Sequence, residues 1–342
     1  MGITHYPFTH PHREGGCPIS PLRIVLLDNG LALPYPAWVA FLHVSDYLKL
    51  PAPDETWIID PLIPQGGLVN LYGPPKGGKS YLALQLALDI ALRNPTWMGF
   101  PIKTHGLVCY LQLDTPRSLW RDRILKLQDA GVIVDGFALA DRNTEGTPWP
   151  FDILSPHNGF NWLREQMDLL IPAVVIIDTL RDVHRGNEND SQYMQEVMDA
   201  LVGACQPAAV VLLSHSRKAN PDRGFSLVED QRGSTAIAGK MDTILHLGGG
   251  KLSYTGRATE QGTIPLKQDP TTHLWLMDKG EEKKAAQGIL AKDYASDRAR
   301  ARALAEELHI KEESARNLLR KVRGETPSSP LVGGLTLDPP PA

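Results

Sequence analysis

The segment from Gly73 to Ser80 carries the clearest chemistry in this sequence, because it reads Gly-Pro-Pro-Lys-Gly-Gly-Lys-Ser, the spacing G-x-x-x-x-G-K-S. An apolar run precedes it, and an apolar, helix-forming run from Tyr81 to Leu92 follows. In that context such a P-loop wraps the phosphates of a nucleoside triphosphate with backbone N–H groups. Lys79 is expected to reach the β- and γ-phosphates, and the Ser80 hydroxyl to ligate Mg²⁺. The residues expected to contact ATP are Gly73, Pro74, Pro75, Lys76, Gly77, Gly78, Lys79, Ser80 and Tyr81.

A carboxylate for the magnesium ion is predicted at the end of a second apolar run. Val174 to Ile177 are all β-branched and apolar, and Asp178 follows them directly. In open α/β sheets, ligands bind at the carboxyl ends of the strands. Asp178 is therefore predicted to share the metal with Ser80, although a strand-end aspartate can also serve as an acidic cap.

Hydrolysis needs a further carboxylate that orients or deprotonates the attacking water. Asp114 is the first choice, because it ends the apolar run Leu107–Leu113. Asp114 can equally start the next helix, since Asp-Thr-Pro is also helix-start chemistry. Glu188 and Asp190, in the loop after Asp178, are the alternative bases.

A polar residue is also predicted close to the γ-phosphate at the end of another strand. Ser214 and His215 close the apolar run Ala209–Leu213, which we expect to lie beside the Asp178 strand. In that place His215 can sense the γ-phosphate. The alternative interpretation is a loop histidine without a catalytic role.

The elements that must position these residues alternate between strand and helix, which predicts an α/β fold with a mostly parallel central sheet covered by helices on both faces. After Lys240 short runs punctuated by glycine predict antiparallel strands that complete the sheet. The predicted helices are Tyr81–Leu92, Arg117–Ala130, Gly159–Leu170 and Ser191–Cys205, and the predicted strands are Gly67–Tyr72, Leu107–Leu113, Phe137–Ala140, Val174–Asp178, Ala209–Ser214, Thr243–Leu247, Lys251–Tyr254, Gly262–Lys267 and Leu274–Met277.

The domain organisation predicted from these patterns has five parts. Residues 1–54 are an N-terminal extension of unassigned role, 55–278 are the catalytic core, and 279–291 are a charged linker. Residues 292–324 hold two helical segments with the spacing of a helix-turn-helix, and 325–342 form a Pro/Gly/Ser-rich tail that is predicted to be disordered.

Composition and charge exclude several classes of protein. The chain has 342 residues, 42% of them hydrophobic and 22% charged, and its net charge is −4, which does not indicate a basic nucleic-acid-binding chain as a whole. No apolar run approaches the ~20 residues of a membrane span. Three widely spaced cysteines and the lack of a signal-peptide pattern predict a cytoplasmic protein without membrane attachment.

With these residues placed, the chain resembles a RecA-type P-loop ATPase, and above all the RepA-like branch of the DnaB-like hexameric replicative helicases. The resemblance covers about residues 55–278. Its broad motifs are Gly73–Ser80 and Ile176–Leu180. The narrower motifs are Leu111–Asp114 with Arg123 downstream, Asn187–Asp190, Leu213–Lys218 and Arg232–Ala236 running to Asp242.

The resemblance implies a homo-hexameric ring in which a basic residue of the neighbouring subunit completes each ATP site. Arg257 matches the family's arginine finger best, and Arg232 and Lys240 are weaker candidates. A solvated hairpin arginine is the other interpretation of Arg257. The family's loops that contact single-stranded DNA fall in Arg217–Ile237, where Arg217, Lys218, Arg223 and Arg232 can contact phosphates, although a merely mobile loop is also consistent with the sequence.

Two departures from the family pattern affect the expected function. Position 114 is usually Glu in the family, and Asp114 is one methylene shorter, so hydrolysis is expected to be slower or to use an extra water. The C-terminal helices are not part of the minimal pattern. Arg316, Arg320 and Arg323 lie at helical spacing and can contact DNA. Alternatively, these helices can dock a primase, initiator or loader, or pack on the ring.

The function predicted from these observations is an ATP-dependent DNA motor, a replicative DNA helicase that hydrolyses ATP. Two alternatives stay open. One is a RecA/KaiC-like ATPase that remodels DNA or protein without unwinding. The other is a DNA-binding switch that binds ATP and hydrolyses it weakly, which the short Asp114 side chain favours.

Overall fold

The computed structural model of the protein describes residues 23–26, 32–35, 44–48, 50, 56–216, 226–228, 235–308 and 312–323. The chain forms two compact units, residues 1–54 and 55–342. In the first unit, β1 (Arg23–Leu26) and β2 (Ala32–Tyr35) form an antiparallel pair, and α1 (Val44–Tyr47) is a single helical turn.

The second unit is built on one nine-stranded sheet with two short hairpins beside it. Its strands are β3 (Trp57–Ile59), β4 (Ile63–Pro64), β5 (Leu68–Gly73), β6 (Thr96–Trp97), β7 (Phe100–Pro101), β8 (Val108–Gln112), β9 (Phe137–Asp141), β10 (Val174–Asp178), β11 (Ala209–His215), β12 (Thr243–Gly248), β13 (Lys251–Gly256), β14 (Gly262–Gln268) and β15 (Trp275–Met277). Its helices are α2 (Lys79–Ala91), α3 (Arg117–Asp129), α4 (Phe160–Leu170), α5 (Ser191–Cys205), α6 (Thr235–Lys240), α7 (Lys279–Leu290), α8 (Asp297–Leu308) and α9 (Glu312–Arg323), with a 3₁₀ turn at Leu180–Val183.

The sheet has the strand order β15-β14-β13-β12-β5-β11-β10-β8-β9. The six strands from β12 to β9 are parallel, and β13, β14 and β15 are antiparallel additions at one edge. The mostly parallel α/β fold predicted from the sequence is therefore confirmed. Parallel strands are buried on both faces, which explains why Val174–Ile177 and Ala209–Leu213 are continuous apolar runs.

Helices cover both faces of the sheet, as predicted. Leu82 and Leu86 of α2 pack with Val69 on one face, whereas Met198 of α5 packs with Leu68 on the other. Because successive strand residues point to opposite faces, each parallel strand contributes to both apolar clusters. The parallel sheet is packed between helices on its two faces. The carboxyl ends of its strands therefore form a rigid edge on which a site can be built.

The charged segment after the sheet is a helix, which corrects the predicted linker at 279–291. Helix α7 begins after Asp278, whose side chain accepts a hydrogen bond from Gly280 N. It buries Ala286 and Ile289 against Leu304 of α8 and Leu319 of α9. The linker interpretation was wrong because α7 shares this small core with α8 and α9. The many charged residues of α7 made its few apolar positions hard to recognise in the sequence. Helices α8 and α9 fall within residues 292–324, where two helical segments were predicted.

Several expectations fall on residues that the structure does not describe. The tail at 325–342 lies outside the described residues, as do most of the N-terminal extension and most of the Arg217–Ile237 segment. No helix in the part of the chain that the structure describes is long and apolar enough to cross a membrane.

Candidate nucleotide site

A cleft of about 470 Å³ lies at the carboxyl ends of β5, β8, β10 and β11. The register brings these ends together, since Gly73 of β5 lies opposite His215 of β11, and Asp178 of β10 lies opposite Gln112 of β8. The lining residues come from the P-loop, α2, α3, the strand ends and the turn between β14 and β15: Lys76, Gly77, Gly78, Lys79, Ser80, Tyr81, Asp114, Thr115, Arg123, Asp178, Thr179, His215, Gln268 and His273.

The P-loop glycines are required by close packing and by backbone conformation. A side chain at Gly73 would collide with the carbonyl oxygen of Leu247. Gly78 has φ +83°, a left-handed conformation that side chains disfavour, and the Trp275 indole lies against it. Trp275 Nε1 also donates to Gly78 O at 3.1 Å. The late strand β15 therefore supports the turn that starts α2, a contribution that no local sequence pattern indicates.

Lys79 is held within the loop and is only 6% exposed. Its Nζ donates to Gly73 O and to Pro74 O, both at 3.0 Å, and lies 3.4 Å from Nδ1 of His215. Burial lowers the pKa of Lys79, and the carboxylates of Asp178 and Asp114 oppose that shift. The cleft therefore places an ammonium beside two carboxylates and an imidazole.

Ser80, Asp178 and Tyr110 form a buried polar cluster at the same end of the sheet. The Ser80 side chain hydrogen-bonds to Asp178, and the Tyr110 hydroxyl donates to Asp178 Oδ2 at 2.9 Å. Asp178 is 2% exposed, so burial raises the pKa of its carboxyl, and the two hydrogen bonds oppose that shift. The structure thus brings together the two residues predicted to share Mg²⁺, and Tyr110 is a third member that was not predicted.

Asp114 follows the end of β8, beside this cluster, and is an exposed residue that lines the cleft. Its backbone N–H donates to Asp178 O at 3.3 Å, which ties the end of β8 to the end of β10. The α3 helix starts at Arg117 with Pro116 before it and has no side-chain cap, so Asp114 is not the helix cap. The carboxylate therefore faces the cleft and is available to a substrate there.

The two alternative bases are engaged elsewhere. Asp190 caps α5, where its Oδ1 accepts from Gln192 N at 3.0 Å and from Tyr193 N at 3.1 Å. The Glu188 side chain is 13% exposed and lies 3.8 Å from the ring of His184. Neither residue lines the cleft, whereas Asp114 does.

Arg123 brings a second cation to the cleft from α3. Its guanidinium lies 4.4 Å from the ring centroid of Tyr81 and 4.9 Å from that of Trp120. Its charge opposes the rise of the Asp178 pKa. In the sequence, Arg123 stood out only as part of a family motif. Its position over the Tyr81 ring depends on how α3 packs against α2, so no local pattern in the sequence could predict it.

Two of the basic residues considered for the neighbouring subunit's site, Arg257 and Lys240, lie away from this chain's own cleft. Arg257 follows β13 at the opposite end of the sheet, where it donates to Asp242 Oδ1 at 3.2 Å and to Gly239 O at 2.9 Å, and its side chain is 62% exposed. Lys240 pairs with Asp199 at 2.6 Å. Arg217, Lys218, Arg223 and Arg232 lie outside the described residues.

The residues present fit a nucleotide with a divalent cation. The glycine turn leaves the backbone open at the helix start, and a buried carboxylate and a hydroxyl meet beside it. Ser80 and Asp178 are the residues that would hold Mg²⁺, which neutralises phosphate charge when bound. Lys79 is placed for the phosphates.

The parallel sheet, with its P-loop strand next to β11 and its aspartate strand one position further, defines a P-loop ATPase of the RecA type. Residues 35–221, more than half of the chain, match the family model for the AAA domain known as AAA_25. The chain belongs to this AAA domain family.

The chain is also similar to a solved structure that is described as an ATPase domain. The two sequences are 13% identical, and the TM-score is 0.48 over 68% of this chain and 96% of the other one. Among curated proteins, none matches this sequence.

Proposed function

We propose that this protein is an ATP-driven motor on single-stranded DNA, a helicase of the replicative type that hydrolyses ATP between the subunits of a ring. The observation that carries the proposal is the meeting of Lys79, Ser80, Asp114, Asp178 and His215 in one cleft. This set holds a phosphate-binding cation, a metal-ligand pair, a carboxylate open to solvent and a histidine. It supplies the groups that hydrolysis of a nucleoside triphosphate needs.

The proposed chemistry assigns one task to each of three groups. A water attacks the γ-phosphorus of ATP, its proton passes to Asp114, and ADP leaves with the electron pair of the broken P–O bond. Lys79 neutralises charge on the transferring phosphate. Because Nζ of Lys79 lies 3.4 Å from His215, the histidine is placed to respond to the γ-phosphate.

The proposed link to DNA runs along β11. His215 ends this strand, and the Arg217–Ile237 segment follows it in the sequence. Four basic residues in that segment can contact phosphates, a mode of binding that is sensitive to salt. Only Ser216 separates His215 from the segment proposed to hold DNA, so a change at the γ-phosphate can be passed to that segment.

The proposed ring explains the position of Arg257. Its guanidinium cannot serve its own cleft, since it lies at the amino-terminal end of the parallel strands beside Asp242. We propose that it serves the neighbour's ATP, in a homo-hexamer that works in the cytoplasm. A primase, initiator or loader is the proposed partner of the C-terminal helices.

Strand displacement tests the helicase proposal. The full chain is mixed with Mg²⁺, ATP and a forked DNA duplex whose shorter strand carries a fluorophore. Release of the labelled strand with ATP, and none with a non-hydrolysable analogue, is the expected result. ATP hydrolysis without release at any fork polarity would contradict unwinding and favour a remodelling ATPase.

A second candidate is a DNA-binding switch that hydrolyses ATP weakly. The short side chain of Asp114 favours it, because the carboxylate stands back from the phosphate by roughly 1.5 Å relative to glutamate. Tight ATP binding together with undetectable phosphate release would support the switch over the motor.

A further inference from the structure

An exposed tryptophan lies beside two arginines at the same end of the sheet as the ATP cleft. Trp149 is 45% exposed, although most tryptophans in folded proteins are largely buried. The guanidinium of Arg142 lies 5.7 Å from its ring centroid, and that of Arg185 lies 5.9 Å from it. We call Arg142, Trp149 and Arg185 the Trp149 platform.

The platform is held in place by hydrogen bonds. On either side of Arg142, Asp141 N donates to Thr144 Oγ1 at 3.0 Å and Asn143 N donates to Asp141 Oδ1 at 2.8 Å. The Asp141 carboxylate also accepts two hydrogen bonds of 2.7 Å from Arg117. The backbone N–H groups of Arg185 and Gly186 donate to the Tyr193 hydroxyl at 3.1 Å and 2.9 Å. Both arginines therefore project from anchored backbone.

A backbone hydrogen bond also joins the two segments that carry the platform. One segment leaves β9 and holds Arg142 and Trp149; the other leaves β10 and holds Arg185. Ile153 N donates to Val183 O at 2.8 Å, which couples them. Since the second segment begins directly after Asp178, the platform is physically connected to the metal-ligand end of β10.

The charges around the platform favour an anionic partner. Among the residues described, neither Arg142 nor Arg185 has a carboxylate within ion-pair distance. Of the acidic residues of the same segments, Asp182 accepts from Thr179 Oγ1 at 2.7 Å and Asp152 accepts from Leu154 N at 3.2 Å, whereas Glu145 is exposed and forms no ion pair with either arginine. Within the described part of the chain, two positive charges thus stand beside an aromatic face without a neutralising carboxylate.

We propose that the Trp149 platform binds single-stranded DNA, with a base stacked on the indole and the adjoining phosphates bound by Arg142 and Arg185. An aromatic face binds any base, and arginine adds both phosphate pairing and cation–π attraction. A duplex does not fit, because its bases stack on one another. This inference rests on the proposed function, and adds a DNA contact outside the Arg217–Ile237 segment.

The test compares two oligonucleotides of equal length, one of thymidines and one without bases, each labelled with fluorescein. Fluorescence anisotropy measures their binding to the full chain with Mg²⁺ and a non-hydrolysable ATP analogue. Trp149→Ala is expected to weaken binding of the thymidine strand about tenfold and to leave the abasic strand unchanged. Trp149→Phe keeps an aromatic face, so it should retain most of the affinity.

Arginine variants test the phosphate contacts separately. Arg185→Ala should weaken binding of both strands and reduce the slope of log affinity against log salt by about 0.7. Arg164→Ala is the matched control, because it removes an exposed arginine that bonds Gln206 O at the other end of the sheet. That control should bind DNA like the unmodified protein.

The outcomes separate this inference from the proposed function. If the unmodified protein binds neither strand, the DNA motor itself is contradicted. If it binds the thymidine strand, but Trp149→Ala binds equally well or loses both strands equally, only the stacking platform is overturned. Binding of a fluorescent ATP analogue by each variant confirms that the core is folded.

Discussion

The Tyr110 hydroxyl donates a 2.9 Å hydrogen bond to Asp178 Oδ2 inside the sheet, between two neighbouring parallel strands. Burial raises the pKa of the Asp178 carboxyl, and this bond works with the one from Ser80 against that rise. A fully buried tyrosine is thus tied to the residue predicted to hold the metal. The relationship makes Tyr110 a positioning residue for the site.

Tyr110→Phe removes this hydrogen bond and should raise the pKa of Asp178 further. Because metal binding needs the ionised carboxylate, the acidic limb of the ATPase pH profile should move to higher pH, and the Mg²⁺ requirement should rise about tenfold. Tyr254→Phe, on β13 away from the cleft, is the control. An unchanged acidic limb would show that the hydroxyl does not tune Asp178.

Asp178→Asn should stabilise the nucleotide-free protein while removing hydrolysis. The folded-state pKa of Asp178 is raised above its unfolded value, so its ionisation costs stability at neutral pH. That cost shrinks as the pH falls through the folded pKa and is gone below the unfolded pKa. We therefore expect a higher Tm than that of the unmodified protein at pH 7, with the difference narrowing in acid. A lower Tm at pH 7 would contradict the sign of this shift.

Asp114→Asn should abolish ATP hydrolysis and leave ATP binding intact, because the amide cannot accept the proton of the attacking water. Asp114→Glu restores the carboxylate and extends it by one methylene, so turnover should equal or exceed that of the unmodified protein. Phosphate release and fluorescent-nucleotide binding measure the two properties. Normal turnover in Asp114→Asn would assign the base elsewhere.

Arg257→Ala should eliminate hydrolysis in assemblies without weakening ATP binding. The exposed pair with Asp242 is worth only about 0–1 kcal/mol, so the loss is not expected to come from unfolding. Mixing this variant with Lys79→Ala should restore partial turnover, since some mixed interfaces then hold an intact P-loop facing an intact Arg257. No recovery at any mixing ratio would remove the support for a role in the neighbour's site.

Much of the fold and the site could be predicted because the signals are local. The run Val174–Asp178 contains four apolar β-branched residues and one aspartate, and the structure has a strand with those same bounds. The glycine spacing from Gly73 to Ser80 likewise predicts a tight turn before a helix, and α2 begins at Lys79 directly after Gly78. Such features depend on short stretches of chain, so the sequence alone indicates them.

The parts that could not be predicted depend on packing between distant segments. Tyr110 sits in the apolar run of β8, and nothing in that run indicates that its hydroxyl meets Asp178. The contact arises because β8 pairs with β10 in register. Trp275, 197 residues from Gly78, supports the P-loop for the same reason. Helix α7 was mistaken for a linker because its few apolar residues are buried only by packing against α8 and α9, which the local sequence does not indicate.

Steady-state phosphate release, measured with and without single-stranded DNA, tests the central claim most directly. The unmodified protein should hydrolyse ATP with Mg²⁺ and turn over faster when a thymidine oligonucleotide is added. Lys79→Ala should abolish both rates, because it removes the buried ammonium beside the phosphates, whereas the exposed Lys103→Ala should match the unmodified protein. Turnover that DNA leaves unchanged, or that survives in Lys79→Ala, would contradict an ATP-driven DNA motor built on this P-loop.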